Sequence, residues 1–563
     1  MARDDLERYR SEGIIAYIGN KRRLLPLIGE ALEAASGGPL DGLRLADPFS
    51  GSGIVSRYAR SRGMRVLAND WEPYARVLAR AWLEPVPEDI PRLFGGEQGL
   101  DEAVDAMNAL PPPSPEECYL ARYYAPASDR IEDADYRTER LFYTRGNALR
   151  LDAARNSLER TAATSKIPLS GDDADLRFCL LLAPILYAAA TQVNTSGVFK
   201  AYHKGFGGHG RDALGRITRP IRFQSPVVVD REPGRVLCGD ANALADEGAF
   251  ADADAVYLDP PYNQHQYGSN YHLLNTLVRW DRIPEPLELD STGRLRRKAA
   301  IRPDWVRTRS AYCTRRGASD AFDGLLDALQ APALLVSYST DGIIPFERLR
   351  RRCEAYGRLR ILVRPYATYR GGRQSAARRD RNLEFIMIVE RGRRTSRVDR
   401  DAVDRMLLRR RYDLLAKDFF HPDRLRVAGR FRGDDWTPDL PGNPPTIPTR
   451  HRIRFPALPE FDDLSDQAAR CLVDHLEQAR SRSRDEDLEL IETAWRSHPG
   501  LCGDLLRELP RILRKLAHRK HREAFERHLA VIRSLGLEDE NGYAAIADDL
   551  QDIEALAADR FAG

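Results

Sequence analysis

The feature that most constrains this chain is the run Ala255-Val256-Tyr257-Leu258 followed directly by Asp259-Pro260-Pro261-Tyr262. The apolar run reads as a strand of a covered sheet. The two prolines end it, because each fixes φ near about −65° and removes a backbone donor. What remains is a stiff loop carrying the Asp259 carboxylate, the free Pro260 carbonyl and the Tyr262 ring. Open α/β sheets place their ligands beyond the carboxyl ends of the strands. The sequence therefore predicts an α/β fold with a site at this loop.

That trio suits one kind of chemistry. An exocyclic amine on a nucleobase is a poor nucleophile, because its lone pair is delocalised into the ring. A carboxylate and a backbone carbonyl can accept both amine hydrogens and turn the lone pair toward an electrophile, while an aromatic ring stacks on an extruded base. No metal is needed. The seven cysteines are scattered without the paired spacing of a zinc or redox motif.

Two earlier stretches have the character of a nucleotide site. The segment Tyr17-Ile18-Gly19-Asn20-Lys21 opens a helix with apolar positions Leu24, Leu25, Leu27, Ile28 and Leu32. A strand near residues 43–46 then leads into Asp47-Pro48-Phe49-Ser50-Gly51-Ser52-Gly53 and a helix over residues 54–61. Strand, glycine turn and helix make the first half of a nucleotide-binding βαβ unit, but the spacing is not the dinucleotide G-x-G-x-x-G. A second strand over residues 64–68 ends at Asp70, where a carboxylate meets ribose hydroxyls in such units.

In order and content these motifs resemble the Dam-type family of DNA adenine-N6 methyltransferases: Tyr17-x-Gly19-x-Lys21, Asp47-Pro48-Phe49-x-Gly51-x-Gly53, Asp70, and Asp259-Pro260-Pro261-Tyr262. The resemblance covers roughly residues 14–390. It implies a Rossmann-like class I methyltransferase sheet and S-adenosylmethionine (SAM) as cofactor, held by Tyr17, Gly19, Lys21, Asp47, Pro48, Phe49, Gly51, Gly53 and Asp70. Asp259 then lies near the methionine portion of SAM, and Asp240, at the end of the strand over residues 236–238, meets its adenine amino group. It further implies base flipping, with Asp259, Pro260 and Tyr262 as the catalytic loop acting on adenine in double-stranded DNA. Cytosine-N4 DNA and adenine-N6 RNA methyltransferases would use the same loop chemistry. A DNA-binding assembly component of a defence complex is the reading from another class.

On this reading the core runs over residues 1–81 and 236–395. A largely helical insertion at 82–235 is expected to carry target recognition, with a strongly apolar helix at 174–190. Net charge is only +3, so DNA affinity must come from local patches. One candidate is the loop at residues 199–211, with Lys200, Tyr202 and Lys204 interleaved with glycines. Another is the basic run at residues 294–316, including Arg296, Arg297 and Lys298. An Arg-rich hairpin loop at residues 369–381 is a third.

Residues 396–460, proline-rich toward their end, are expected to be a linker or strap. Residues 461–563 are expected to form a helical accessory domain for DNA or for a partner such as a cognate nuclease or defence-complex subunit. Apolar stripes at Leu464, Ala468, Leu472 and Leu476 and at Leu506, Leu509, Leu513 and Leu516 would form its core. A cytoplasmic protein without a membrane span is expected.

Overall fold

A computed structural model describes residues 3–164, 169, 171–208, 210–365, 383–498 and 503–562. The chain divides into two compact units, Met1–Ser396 and Arg397–Gly563. The expected hairpin loop at 369–381 lies outside the described residues.

The first unit is built on a seven-stranded sheet: β1 (Arg44–Asp47), β2 (Arg65–Asn69), β3 (Arg235–Leu237), β4 (Ala255–Leu258), β5 (Ala333–Ser339), β6 (Gly357–Pro365) and β7 (Leu383–Arg391). Their order is β3-β2-β1-β4-β5-β7-β6. β1 to β5 run parallel, and β7 is antiparallel to both of its neighbours.

The unbroken apolar run of β4 follows from burial on both faces. Ala255 and Tyr257 join one core with Ile28 and Leu32 of the helix Leu25–Ser36 and with Val55 of the helix Ile54–Ser61. Val256 and Leu258 join the opposite core with Phe322 and Leu325 of the helix Ala318–Ala328. Each large apolar side chain so buried is worth about 1.5–3 kcal/mol.

Chain order reverses at β1, which pairs with β2 on one side and β4 on the other. This switch point is where parallel sheets open a crevice. The register Leu45↔Ala255 and Ala46↔Val256 brings Asp47 and Asp259 to one sheet edge.

Between β2 and β3 the chain is mainly helical, including Pro73–Leu83, Arg145–Thr164 and Gly171–Thr191. Gly171–Thr191 contains the expected apolar helix. Among the described residues it alone is long and apolar enough to cross a membrane, and most of its apolar window is buried inside the protein, against the other two helices. Ser269 sits within the short helix Tyr267–Asn270, and its hydroxyl donates to the Gln266 carbonyl.

In the second unit the expected linker is a correction. Residues 397–460 hold the helix Arg397–Leu415 and a three-stranded antiparallel sheet of β8 (Gly429–Arg432), β9 (Asp435–Pro438) and β10 (Ile447–Pro448). Trp436 is the reason. It is fully buried with Leu408, Tyr412, Phe455 and Leu472, and its indole donates to the Leu425 carbonyl. Prolines at strand ends are compatible with so short a sheet. Leu506, Leu509, Leu513 and Leu516 face a helical core with Leu488, Trp495, Ile532 and Leu550, as their spacing predicts.

Candidate active site

The crevice at the β1/β4 switch is a cleft lined by three of the sequence motifs. Tyr17, Gly19 and Lys21 come from the segment before the helix Leu25–Ser36, residues 47–52 from the β1 turn, and Asp259, Pro260, Pro261 and Tyr262 from the β4 loop. Asp70 and Asp240 add to the acidic lining.

The β1 turn is tight because Gly51 and Gly53 take φ of 52° and 73°, values that a side chain rarely tolerates. At Gly51 a Cβ would come within 2.7 Å of the Tyr17 ring, so the glycine also lets Tyr17 pack against the turn. Tyr17 is held from the other side by stacking on Tyr271 at 5.0 Å and by contact with Tyr267 at 5.2 Å. Asp70 is tied to the same turn, accepting the Gly51 N–H at 2.8 Å and the Glu72 N–H at 2.9 Å. Burial pushes its carboxyl up to about 6 against the pull of these N–H groups.

Asp47 is 1% exposed and accepts the Ser56 hydroxyl on one oxygen at 2.7 Å. Its other oxygen is buried without a hydrogen-bond partner, and burial pushes the group up to about 7. Asp240 caps the helix Ala241–Asp246, accepting the Asn242 and Ala243 N–H groups on a single oxygen.

At the β4 loop the Lys21 ammonium lies 2.9 Å from Asp259 and donates to the Gly19 carbonyl at 2.9 Å. It also sits 5.2 Å from the centre of the Tyr262 ring. Burial would discharge Lys21, but Asp259 and then Glu384 outweigh it and raise its affinity for the proton. Burial raises the Asp259 carboxyl, and Lys21 opposes the shift. Tyr262 stands edge-on to Tyr338 at 5.7 Å and donates its hydroxyl to Glu384 at 3.4 Å.

Several members of the site carry no motif in the sequence. Trp71, Glu72, Tyr267 and the segment with Thr308, Ser310 and Tyr312 all line the cleft. Ser310 is fastened by a reciprocal pair with the Gln266 side-chain amide, at 2.9 and 3.1 Å. Thr308, Ser310 and Tyr312 fall in the run read as a basic DNA patch. Glu384 belongs to an ordinary-looking strand, β7. Its only sequence signal is a carboxylate inside an otherwise apolar run.

The expected DNA contacts divide. Lys200 and Lys204 are exposed. Tyr202 is not free to stack: its hydroxyl lies 3.2 and 3.0 Å from the carbonyls of Tyr136 and Glu139, and its ring packs on Phe142. Arg296 and Lys298 are exposed, but Arg297 pairs with buried Glu285 at 2.6 Å and donates to the Ile301 carbonyl.

Strand order, the reversed β7 and an acid-lined cleft at the switch point fit the class I methyltransferase fold. Residues 17–287 match the family described as D12 class N6 adenine-specific DNA methyltransferase. Type II methyltransferase M.NlaIII of Neisseria lactamica is 26% identical over 378 residues, which are 67% of this chain and 99% of that protein. Type II methyltransferase M.FokI of Planomicrobium okeanokoites is 29% identical over 380 residues, 67% of this chain and 52% of that protein. Type II methyltransferase M.CviAII of Paramecium bursaria Chlorella virus 1 is 25% identical over 377 residues, 67% of this chain and 99% of that protein. This chain thus spans nearly all of two of these relatives and about half of the other, and about a third of it lies outside each match.

Proposed function

We propose that this adenine-N6 DNA methyltransferase binds SAM in the β1/β4 cleft and methylates an adenine extruded from double-stranded DNA, as the modification activity of a Type II restriction system. The observation that carries the reading is the pairing of buried Lys21 with Asp259, set beside Pro260 and Tyr262 in the same cleft as Asp47 and Asp70.

The residues suit the cofactor. Asp47 keeps a buried oxygen without a hydrogen-bond partner, and the turn at Gly51 and Gly53 leaves backbone close to the cleft. On this reading Asp70 accepts the ribose hydroxyls, Tyr17, Gly19, Pro48 and Phe49 line the cofactor's place, and Asp240 meets its adenine. When bound, SAM supplies a methyl group already activated by the sulfonium. Asp259 and the Pro260 carbonyl accept the two N6 hydrogens and turn the amine lone pair, while Tyr262 stacks on the base. Lys21 holds the carboxylate in place. Positioning of this kind contributes about 7–11 kcal/mol through effective molarity, so Asp259 need not be a strong base.

Residues 82–235 take the part of target recognition, with Lys200 and Lys204 on the DNA backbone and Arg296 and Lys298 adding phosphate contacts. The unit after Ser396 serves as an accessory surface for DNA or for a cognate nuclease. The helix Glu508–Leu516 buries Leu509, Leu513 and Leu516 and exposes Arg511, Arg514 and Lys515, which supports a phosphate contact there. The enzyme would act in the cytoplasm.

Nucleoside analysis of DNA from cells expressing the protein tests the reading. N6-methyladenine is expected with the parent and not with Asp259→Ala. Accumulation of N4-methylcytosine instead would refute the target base, and modified RNA with unmodified DNA would refute the substrate.

A further inference from the structure

The segment that carries Tyr17, Gly19 and Lys21 is held to the chain just beyond the catalytic loop through both backbone groups of one residue. The Ile18 N–H donates to the Tyr271 hydroxyl at 2.8 Å, and the Ile18 carbonyl accepts the Tyr267 hydroxyl at 3.2 Å. Tyr267 and Tyr271 stand one helical turn apart, joined by the Tyr271 N–H donating to the Tyr267 carbonyl at 2.9 Å, so both side chains leave the same face. Their rings stack on each other at 6.1 Å, and each packs on the ring of Tyr17. Only four residues separate Tyr267 from Tyr262.

The residue after Ile18 carries the consequence. Gly19 gives its carbonyl to the Lys21 ammonium at 2.9 Å, and that ammonium lies 2.9 Å from Asp259. A Cβ on Gly19 would lie 3.6, 3.7 and 3.8 Å from the Tyr262 hydroxyl, the Lys21 ammonium and the Tyr267 hydroxyl, so three working end groups converge on this one position. We propose that Tyr267 and Tyr271 are positioning residues for methyl transfer: their hydroxyls fix the peptides on either side of Ile18, and with them the Gly19 carbonyl and the Lys21 ammonium, in register with the Asp259 loop. This rests on Asp259 being the amine acceptor.

The test is single-turnover methylation of a short duplex by the full-length protein at saturating SAM and DNA, followed across pH. Tyr267→Phe with Tyr271→Phe keeps both rings and removes both hydroxyls. Lys21 lowers the proton affinity of Asp259. With Lys21 less well held, the acid limb should move to higher pH by about 0.5–1 unit. The plateau should fall about tenfold, since a misplacement of about 1 Å can cost as much as 10²-fold. The ionisable groups around Asp259 are Lys21, Asp47, Glu384 and the phenols of Tyr257, Tyr267 and Tyr338, and of the charged ones only Lys21 belongs to the held segment. In a Lys21→Met background the two tyrosine changes should therefore leave the limb where Lys21→Met alone puts it, which a general loss of packing would not do.

A parental acid limb in the tyrosine pair overturns the proposal, and so does a further shift of full size on top of Lys21→Met. If the pair fails to fold, Tyr267→Phe alone decides by the same limb. Lys21→Met separates the two levels. If it moves the limb while the tyrosine pair does not, the role of Tyr267 and Tyr271 fails and the active-site assignment stands. If it keeps the parental limb, the pairing of Lys21 with Asp259 has no part in the reaction and the role of the tyrosines falls with it.

Discussion

Replacing Lys21 by methionine removes one buried charge and little volume. The lost ammonium is 3% exposed and lies 2.9 Å from Asp259. Two unit charges 4 Å apart in an effective dielectric of about 20 interact by about 4 kcal/mol, which corresponds to about three pKa units. Without its counter-ion the Asp259 carboxylate, already raised by burial, should stay protonated at neutral pH. The protonated acid then donates where it should accept, and the amine is no longer oriented.

Single-turnover methylation of a short duplex by Lys21→Met should therefore be down about 10²–10³-fold at pH 7 and should recover toward pH 9–10, since each pKa unit is a factor of about ten. The melting temperature should change less than the loss of a buried pair otherwise predicts, because the orphaned carboxylate neutralises itself. A Lys21→Met, Asp259→Asn cycle should be strongly non-additive. A parental pH profile in folded Lys21→Met would refute the reasoning, because Lys21 would then not control the carboxylate.

Asp70→Ala should weaken SAM binding by about 1–3 kcal/mol in calorimetry, since hydroxyls lose a charged acceptor and the Gly51 turn loses its tie; parental affinity in a folded variant would remove Asp70 from the cofactor site. Arg296→Ala with Lys298→Ala, leaving Arg297 on Glu285, should flatten the log–log salt dependence of DNA binding by about 0.9 for each phosphate that is no longer neutralised. An unchanged slope would return this run to solvent. A chain ending at Ser396 should still bind SAM and methylate a short duplex while binding long DNA more weakly; a soluble, monodisperse product without SAM affinity would make the second unit part of the catalytic core.

In the second unit His528 is 1% exposed and bridges Glu492 at 2.8 Å and Asp485 at 2.7 Å. Burial alone would lower its proton affinity, but the two carboxylates outweigh it and raise it. With a folded pKa above the unfolded one, its contribution is complete below about pH 6.5 and is lost as pH rises through the folded value. Calorimetric melting of the full chain should show a transition that weakens with rising pH and loses that dependence in His528→Gln; the same slope in both proteins would place the pH effect elsewhere.

The catalytic loop was legible because its physics is local. A covered strand cannot continue through Pro260 and Pro261, so Asp259 and Tyr262 had to stand at a strand end, and Gly51 and Gly53 marked a turn that only small residues allow. The apolar stripe from Leu506 to Leu516 was legible for the same reason, since helical spacing alone puts those residues on one face. Trp436 shows the limit. A proline-rich stretch reads as extended, yet one large ring buried among residues distant in sequence is enough to fold it.

The charge state of the site was decided only in three dimensions. Lys21, Asp259 and Glu384 are far apart in the chain, and nothing within their own segments requires them to meet. Parallel pairing at the β1/β4 switch and antiparallel entry of β7 beside β5 bring them to one sheet edge. Burial there, which no local pattern encodes, makes one shared ammonium matter to two carboxylates. The same holds for Tyr202 and Arg297. Sequence spacing offered both to DNA, but their partners come from elsewhere in the chain: Tyr202 is fastened to the Tyr136 and Glu139 carbonyls, and Arg297, though its side chain is half exposed, is tied to Glu285.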